Sequence, residues 1–221
     1  MKHGPYGPIE GRLGNTVGYI RLGQPVVRMM PKKLKRKKKG TEAQVAARTR
    51  FALVTDIISS INAFTNAGFK LKAKSLIGKT AQNMAMSVNL KNVVTGEYPN
   101  YQIDYTKLQV AEGDLSLPVN PTVVLEGNIL KYNWEINPYL NYVEKTSQMM
   151  VLAYLPALKK AYYLLGTASR YGGEGSLEIP LSKKTNDGKV VDLAIECYMA
   201  FVSQDRERIS NSIYLGQVAI P

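Results

Sequence analysis

From Thr122 onward the chain divides into seven short β-prone runs, about 122–126, 129–136, 147–155, 160–166, 175–180, 190–202 and 212–220. Turn residues separate them, among them Gly127-Asn128, Asn137-Pro138, Gly172-Gly173 and Asn186-Asp187-Gly188. Short strands at this spacing, each too short to bury much alone, are satisfied when two antiparallel sheets cover one another. In the second run Leu130, Tyr132, Trp134 and Ile136 alternate with Lys131, Asn133 and Glu135. That period of two puts one apolar face inward and leaves one polar face outward, with Trp134 as a central anchor of the core.

The preceding segment has a different period. Thr41-Glu42-Ala43-Gln44 fits a capping box, in which the Thr41 hydroxyl caps the helix and Gln44 reaches back. Val45, Phe51, Val54, Ile57, Ile58, Ile61 and Phe64 then recur at helical spacing, predicting a helix to about Asn66 with Gly68 as its stop. A second helix is expected from about Thr80 to Val94 through Ala81, Met84, Ala85 and Val88. Residues 95–121 read as turns and short extended pieces. Near the start, Thr16–Arg21 and Pro25–Met29 flank Leu22-Gly23-Gln24, the pattern of a β-hairpin. An isolated hairpin is marginal in water, so it is expected to dock on the body or on a neighbouring chain.

The expected architecture is therefore α+β and mainly β, in three regions. Residues 1–40 form a glycine-rich hairpin and basic arm, 41–121 a helical middle, and 122–221 an antiparallel β-sandwich. The long run through Leu193, Ile195, Cys197, Tyr198 and Phe201, with the turn at Asp205-Arg206 and the return at Ser212-Ile213-Tyr214, resembles the last hairpin of fibronectin type III and immunoglobulin-like sandwiches. The likeness is one of pattern and spacing and carries no chemistry.

Charge is distributed as unevenly as structure. The net charge is +12, from 29 Lys/Arg against 17 Asp/Glu. Residues 1–50 hold 13 of those cations against only Glu10 and Glu42, so the remaining 171 residues are close to neutral. The concentration peaks at Lys32-Lys33-Leu34-Lys35-Arg36-Lys37-Lys38-Lys39, seven cations in eight positions. Mutual repulsion extends such a run, and a polyanion with closely spaced phosphates is its natural partner through counterion release. A solvated linker, an acidic protein surface and an anionic-lipid tether are the competing readings. Arg28, Arg48 and Arg50 are candidate supporting cations. The lysine run contains no aromatic residue, which favours phosphate contact over base readout. Tyr6, Tyr19, Tyr98, Tyr101 and Tyr105 are candidates for base stacking, but tyrosines in a β-rich chain are more often half-buried sheet residues.

Chemistry of other kinds is poorly supplied. One cysteine, Cys197, and one histidine, His3, leave no disulfide framework and little for a metal site, so neither cofactor nor metal is expected. Cys197 falls at an apolar mid-strand position and reads as a buried structural thiol. The glycine clusters Gly4-Pro5-Tyr6-Gly7 and Gly11-Arg12-Leu13-Gly14 lack the strand–loop–helix context and lysine of a phosphate loop. Asp104, Glu112 and Asp114 lie near one another in the sequence, and only their convergence in one cleft would argue for catalysis. No apolar run reaches the roughly 18 residues of a membrane span, and no secretory h-region follows Met1. A cytoplasmic or virion-associated location is the expectation.

Several ordered motifs resemble a domain-of-unknown-function family of Bacteroidetes proteins. They are Gly11-Arg12-Leu13-Gly14-Asn15-Thr16-Val17-Gly18, Val27-Arg28-Met29-Met30-Pro31-Lys32-Lys33 and Thr41 through Ala52. Asn92 through Tyr105 and Ser210-Asn211-Ser212-Ile213-Tyr214-Leu215-Gly216 continue the series. The resemblance spans most of the chain and implies no active site to carry over. The opening block is also similar, more weakly, to small bacteriophage-encoded proteins, which points toward virion or assembly roles. Together these readings favour a non-enzymatic structural or assembly protein whose arm contacts nucleic-acid phosphates without strong sequence specificity. The alternative is an interaction module whose sandwich binds a partner and whose arm docks on an acidic surface; a homo-oligomer or an assembly partner is a further candidate.

Overall fold

The computed structural model describes residues 7–8, 10–32, 40–180 and 194–220. It is mixed α/β, with several antiparallel sheets and a helical layer. Strands β1 (Gly11–Leu13), β2 (Thr16–Arg21) and β3 (Gln24–Met29) form a three-stranded antiparallel meander, one strand more than the expected hairpin. Its turns are Gly14-Asn15 and Leu22-Gly23.

Helix α1 (Glu42–Ser60) opens on the anticipated capping box: Thr41 accepts from the Gln44 amide and the Gln44 side chain accepts from the Thr41 amide. It does not run on to Asn66. The helix breaks at Ile61, and α2 (Asn62–Lys74) passes straight through Gly68. Gly68 is a contact point, not a stop. A Cβ there would collide with the Val110 carbonyl and lie 2.9 Å from the Ala111 Cα, so glycine lets the 108–115 strap cross the helix closely. The Glu112 amide donates to the Gly68 carbonyl at 3.1 Å, fastening the crossing.

Helix α3 (Ala81–Asn92), capped by Thr80, leads into β4 (Val94–Thr95), which pairs with β5 (Gln102–Ile103). Buried Asn89 holds the strap: its amide donates to the Gln109 carbonyl at 2.8 Å, and its carbonyl accepts from the Gln109 amide at 2.8 Å.

The seven later strands are β6 (Val119–Glu126), β7 (Ile129–Glu135), β8 (Gln148–Leu155), β9 (Lys160–Ser169), β10 (Glu174–Glu178), β11 (Ala194–Val202) and β12 (Ile213–Ala219). A short helix, α4 (Tyr142–Lys145), precedes β8. Sheet order is β10-β7-β6 in one sheet and β12-β11-β8-β9 in the other, antiparallel at every pairing. Between them Leu130, Tyr132 and Trp134 of β7 meet Met149, Val151 and Ala153 of β8 and Cys197, Met199 and Phe201 of β11. Trp134 is buried there, edge-on to Phe201 at 5.4 Å between ring centroids.

The other face of the four-stranded sheet is covered too. Met150, Leu152, Tyr154, Tyr198, Ala200 and Val202 pack against Val54, Ile57, Ile58, Phe64 and Phe69 of the helices. The molecule therefore has three layers: helices, a four-stranded sheet and a three-stranded sheet. This explains a local contrast in the sequence. β7 alternates because one face meets water, whereas β8 and β11 are nearly continuous apolar runs because neither face does.

Candidate nucleic-acid interface

The meander separates its side chains by register. Gly11 pairs with Gly18, Arg12 with Val17, Val17 with Arg28, Gly18 with Val27 and Ile20 with Pro25. Because neighbours across a sheet share a face, Arg12, Val17, Tyr19, Arg21, Val26 and Arg28 lie on one side. Leu13, Ile20, Val27 and Met29 lie on the other, all well exposed. Arg28 sits over the Tyr19 ring, 5.5 Å from its centroid. The Arg12 Nε donates to the Gly14 carbonyl at 3.1 Å. The cationic face thus carries three arginines about a tyrosine, and Lys32 follows it, exposed.

Of the cations expected to bind phosphate, Arg28 and Lys32 are on or just beyond this face. Lys33, Lys35, Arg36, Lys37, Lys38 and Lys39 lie outside the described residues. Arg48 is exposed in the first half of α1. Arg50 is engaged elsewhere: it is half-buried, its Nη2 donates to the Leu90 carbonyl near the end of α3 at 3.4 Å, and its guanidinium lies 5.9 Å from the Tyr101 ring centroid. A cation at that carbonyl end also opposes the helix dipole favourably. Arg12 and Arg21 were not singled out from the sequence. The signal was present in the period-two spacing of the first two strands, but the glycines hid how far β1 extends the sheet.

The carboxylates of interest do not form one constellation. Asp104 is bonded to Thr106 and Lys107, and the Thr106 hydroxyl first, then Lys107, hold its carboxyl below the usual range. Glu112 pairs with Lys72 at 2.8 Å, and Asp114 with Arg208 at 2.9 Å, beside a surface cleft of about 560 Å³ that Asp104 does not line. Among the described residues, no three His, Cys, Asp or Glu side chains are grouped so as to hold a metal ion. Cys197 is fully buried, and burial pushes its thiol up to about 12, so it is protonated at neutral pH. Among the described residues, no helix is long and apolar enough to cross a membrane.

A second polar centre is structural. Arg170 is almost fully buried, with its guanidinium 4.4 Å from the Phe201 ring centroid. It donates to the carbonyls of Ser116 and Leu117 at 3.0 and 2.8 Å, while its own carbonyl accepts from the Trp134 indole at 2.7 Å. Glu144 accepts from the Ser116 amide at 3.2 Å, and its carboxyl is held low first by the Ser116 side chain and then by that amide. This network fastens the chain entering β6 to the edge of both sheets.

The family model for DUF6266 matches residues 8–216, nearly the whole chain. The chain belongs to this family. DUF6266 is described as a family of unknown function, so membership fixes kinship and leaves the activity to be argued from residues. No curated protein matches the chain. The match to DUF6266 takes in the meander, the basic run, the helices and the sheets as one unit.

Proposed function

We propose that this protein is a non-enzymatic structural or assembly protein whose basic N-terminal segment contacts nucleic-acid phosphates without strong sequence preference. The single observation that carries the reading is the charge concentration: 13 of 29 cations fall in the first 50 residues, against two acids. The meander adds Arg12, Arg21 and Arg28 on one face, directly before the lysine run. A virion-associated or cytoplasmic setting fits a polyanion partner. The two facing sheets, in the orders β10-β7-β6 and β12-β11-β8-β9, support a fibronectin type III-like sandwich as the scaffold.

A gel-shift titration across salt tests the reading. Binding at low salt is expected to weaken on the order of 10³-fold between about 50 and 200 mM salt if most of the run is engaged. Replacing Lys32, Lys33, Lys35, Arg36, Lys37, Lys38 and Lys39 by Gln should abolish it. Absence of binding at low salt, or affinity unchanged by the seven replacements, overturns the proposal.

A second reading, self-association, is favoured by Leu13, Ile20, Val27 and Met29, whose exposures are 68%, 49%, 57% and 67%. This meander face carries no ionisable residue, so another copy of the chain can cover it without opposing like charges, while the arginine face turns outward. Sedimentation should then show a dimer that Ile20→Glu/Val27→Glu dissociates; a monomer at high concentration rejects it.

A further inference from the structure

Where α2 crosses the four-stranded sheet, the helical layer leaves a cavity of about 280 Å³. Its walls are Ala67 and Leu71 of α2, Met150 of β8, Leu165 of β9, Val202 of β11 and, beyond β11, Ile209. The two polar residues bordering it, Lys70 and Arg206, are both cations. Among the described residues, neither lies within ion-pair distance of a carboxylate. The acids flanking Arg206 in the turn have other partners: Asp205 accepts from the Ser203 hydroxyl and the Glu207 amide, and Glu207 lies 3.7 Å from Lys74.

The Arg206 head is nevertheless held in place. Its backbone is left-handed, with φ 61°. Its Nη2 donates to the Gln148 Oε1 at 3.1 Å, and its guanidinium lies against Gly166, where any Cβ would collide with it. Gly166 itself has φ 91°, in the stretch where the pairing of β8 with β9 shifts register after Gln148. Bulges of this kind re-aim groups at sheet edges, and left-handed non-glycine residues persist where the surroundings over-determine them. A guanidinium seated on a glycine, braced by a neutral amide and set at the mouth of an apolar cavity, is positioned for an anion.

We infer that this cavity binds a small amphipathic anion, an alkyl chain ending in a carboxylate, with the chain against Leu71, Met150, Leu165 and Val202 and the carboxylate on Arg206 and Lys70. The cavity is near the roughly 300 Å³ lower end of ligand pockets, which limits the ligand to a short or medium chain. The site is separate from the basic arm and does not depend on the nucleic-acid reading.

Calorimetric titration of the full chain with octanoate tests the assignment, with octylamine and octanol as comparisons. Saturable octanoate binding is expected, with octanol weaker and octylamine absent. Arg206→Gln should weaken octanoate about ten-fold or more, as loss of a charge-assisted hydrogen bond does, while leaving octanol within about two-fold. Ala67→Phe should fill the cavity and abolish both. Gln in place of all seven arm cations should change nothing, which separates this site from non-specific attraction to the arm. The inference is overturned if octanoate does not saturate, if octylamine binds as well, if Arg206→Gln is without effect, or if the arm variant loses octanoate. Should Ala67→Phe fail to fold, the Arg206→Gln comparison decides alone, because that side chain is at the surface.

Discussion

The N-terminal meander and the β8–β11 pair are both antiparallel β-structure, yet they stand at opposite ends of what a sheet can bury. β8 and β11 are covered by helices on one face and by a second sheet on the other, so nearly every residue in them is inside. The meander has three strands, a face of exposed apolar side chains and a face of arginines. Three short strands with their apolar side chains Leu13, Ile20, Val27 and Met29 exposed contribute little to their own stability. The difference locates stability in the three-layer body and leaves the N-terminal segment free to be specialised for contact. Charge follows the same division, since the body is near neutral and the N-terminal segment is not.

Mutations that treat the two regions alike should therefore give unlike results. The largest effect is expected from Leu152→Ala in β8, which deletes a fully buried side chain between the sheet and the helices. It should cost about 2–5 kcal/mol in denaturant unfolding. Next comes Arg170→Met. It strands the Ser116 and Leu117 carbonyls at the edge of the body and should cost about 3 kcal/mol by the same measurement. Val27→Ala in the meander should shift unfolding by no more than about 0.5 kcal/mol, because that side chain is already in water. A cost near that of Leu152→Ala would break the comparison and make the meander part of the folding unit.

The smallest effect concerns pH. The Thr106 hydroxyl and then Lys107 lower the Asp104 pKa, so its folded value lies below that of the unfolded chain. Its contribution is thus fully present above the unfolded pKa and is lost as pH falls through the folded one. NMR titration should place the Asp104 midpoint below the ordinary aspartate value of about 3.9, and Thr106→Val should move it back upward. An unshifted midpoint would show that the Thr106 contact is not held in solution.

Much of the body was legible beforehand because local chemistry and tertiary need coincide there. All seven later strands fall close to the expected positions within the described residues, since turn residues bound each one. The Thr41–Gln44 capping box was readable because it is satisfied entirely within four residues. The break at Ile61 was not readable. The apolar positions continue in register across it, and the reason for Gly68 lies some 40 residues away in Val110 and Ala111. For the candidate interface, composition marked the lysine run and Arg28, whereas Arg12 and Arg21 needed the cross-strand register. Arg206 offered no signal at all, because its seat is made by Gly166 and Gln148 on other strands.

The sequence by itself determined where charge sits, roughly where the seven later strands lie, and which residues start the first helix. Each of these depends on neighbours within a few positions, through repulsion, turn geometry or capping. Only the tertiary structure decided that the helices cover the second face of the four-stranded sheet. It alone placed Arg170 beneath the chain entering β6 and left a cavity under α2. Those outcomes depend on apolar surfaces finding one another across long stretches of chain, and the hydrophobic effect carries no label naming the partner surface.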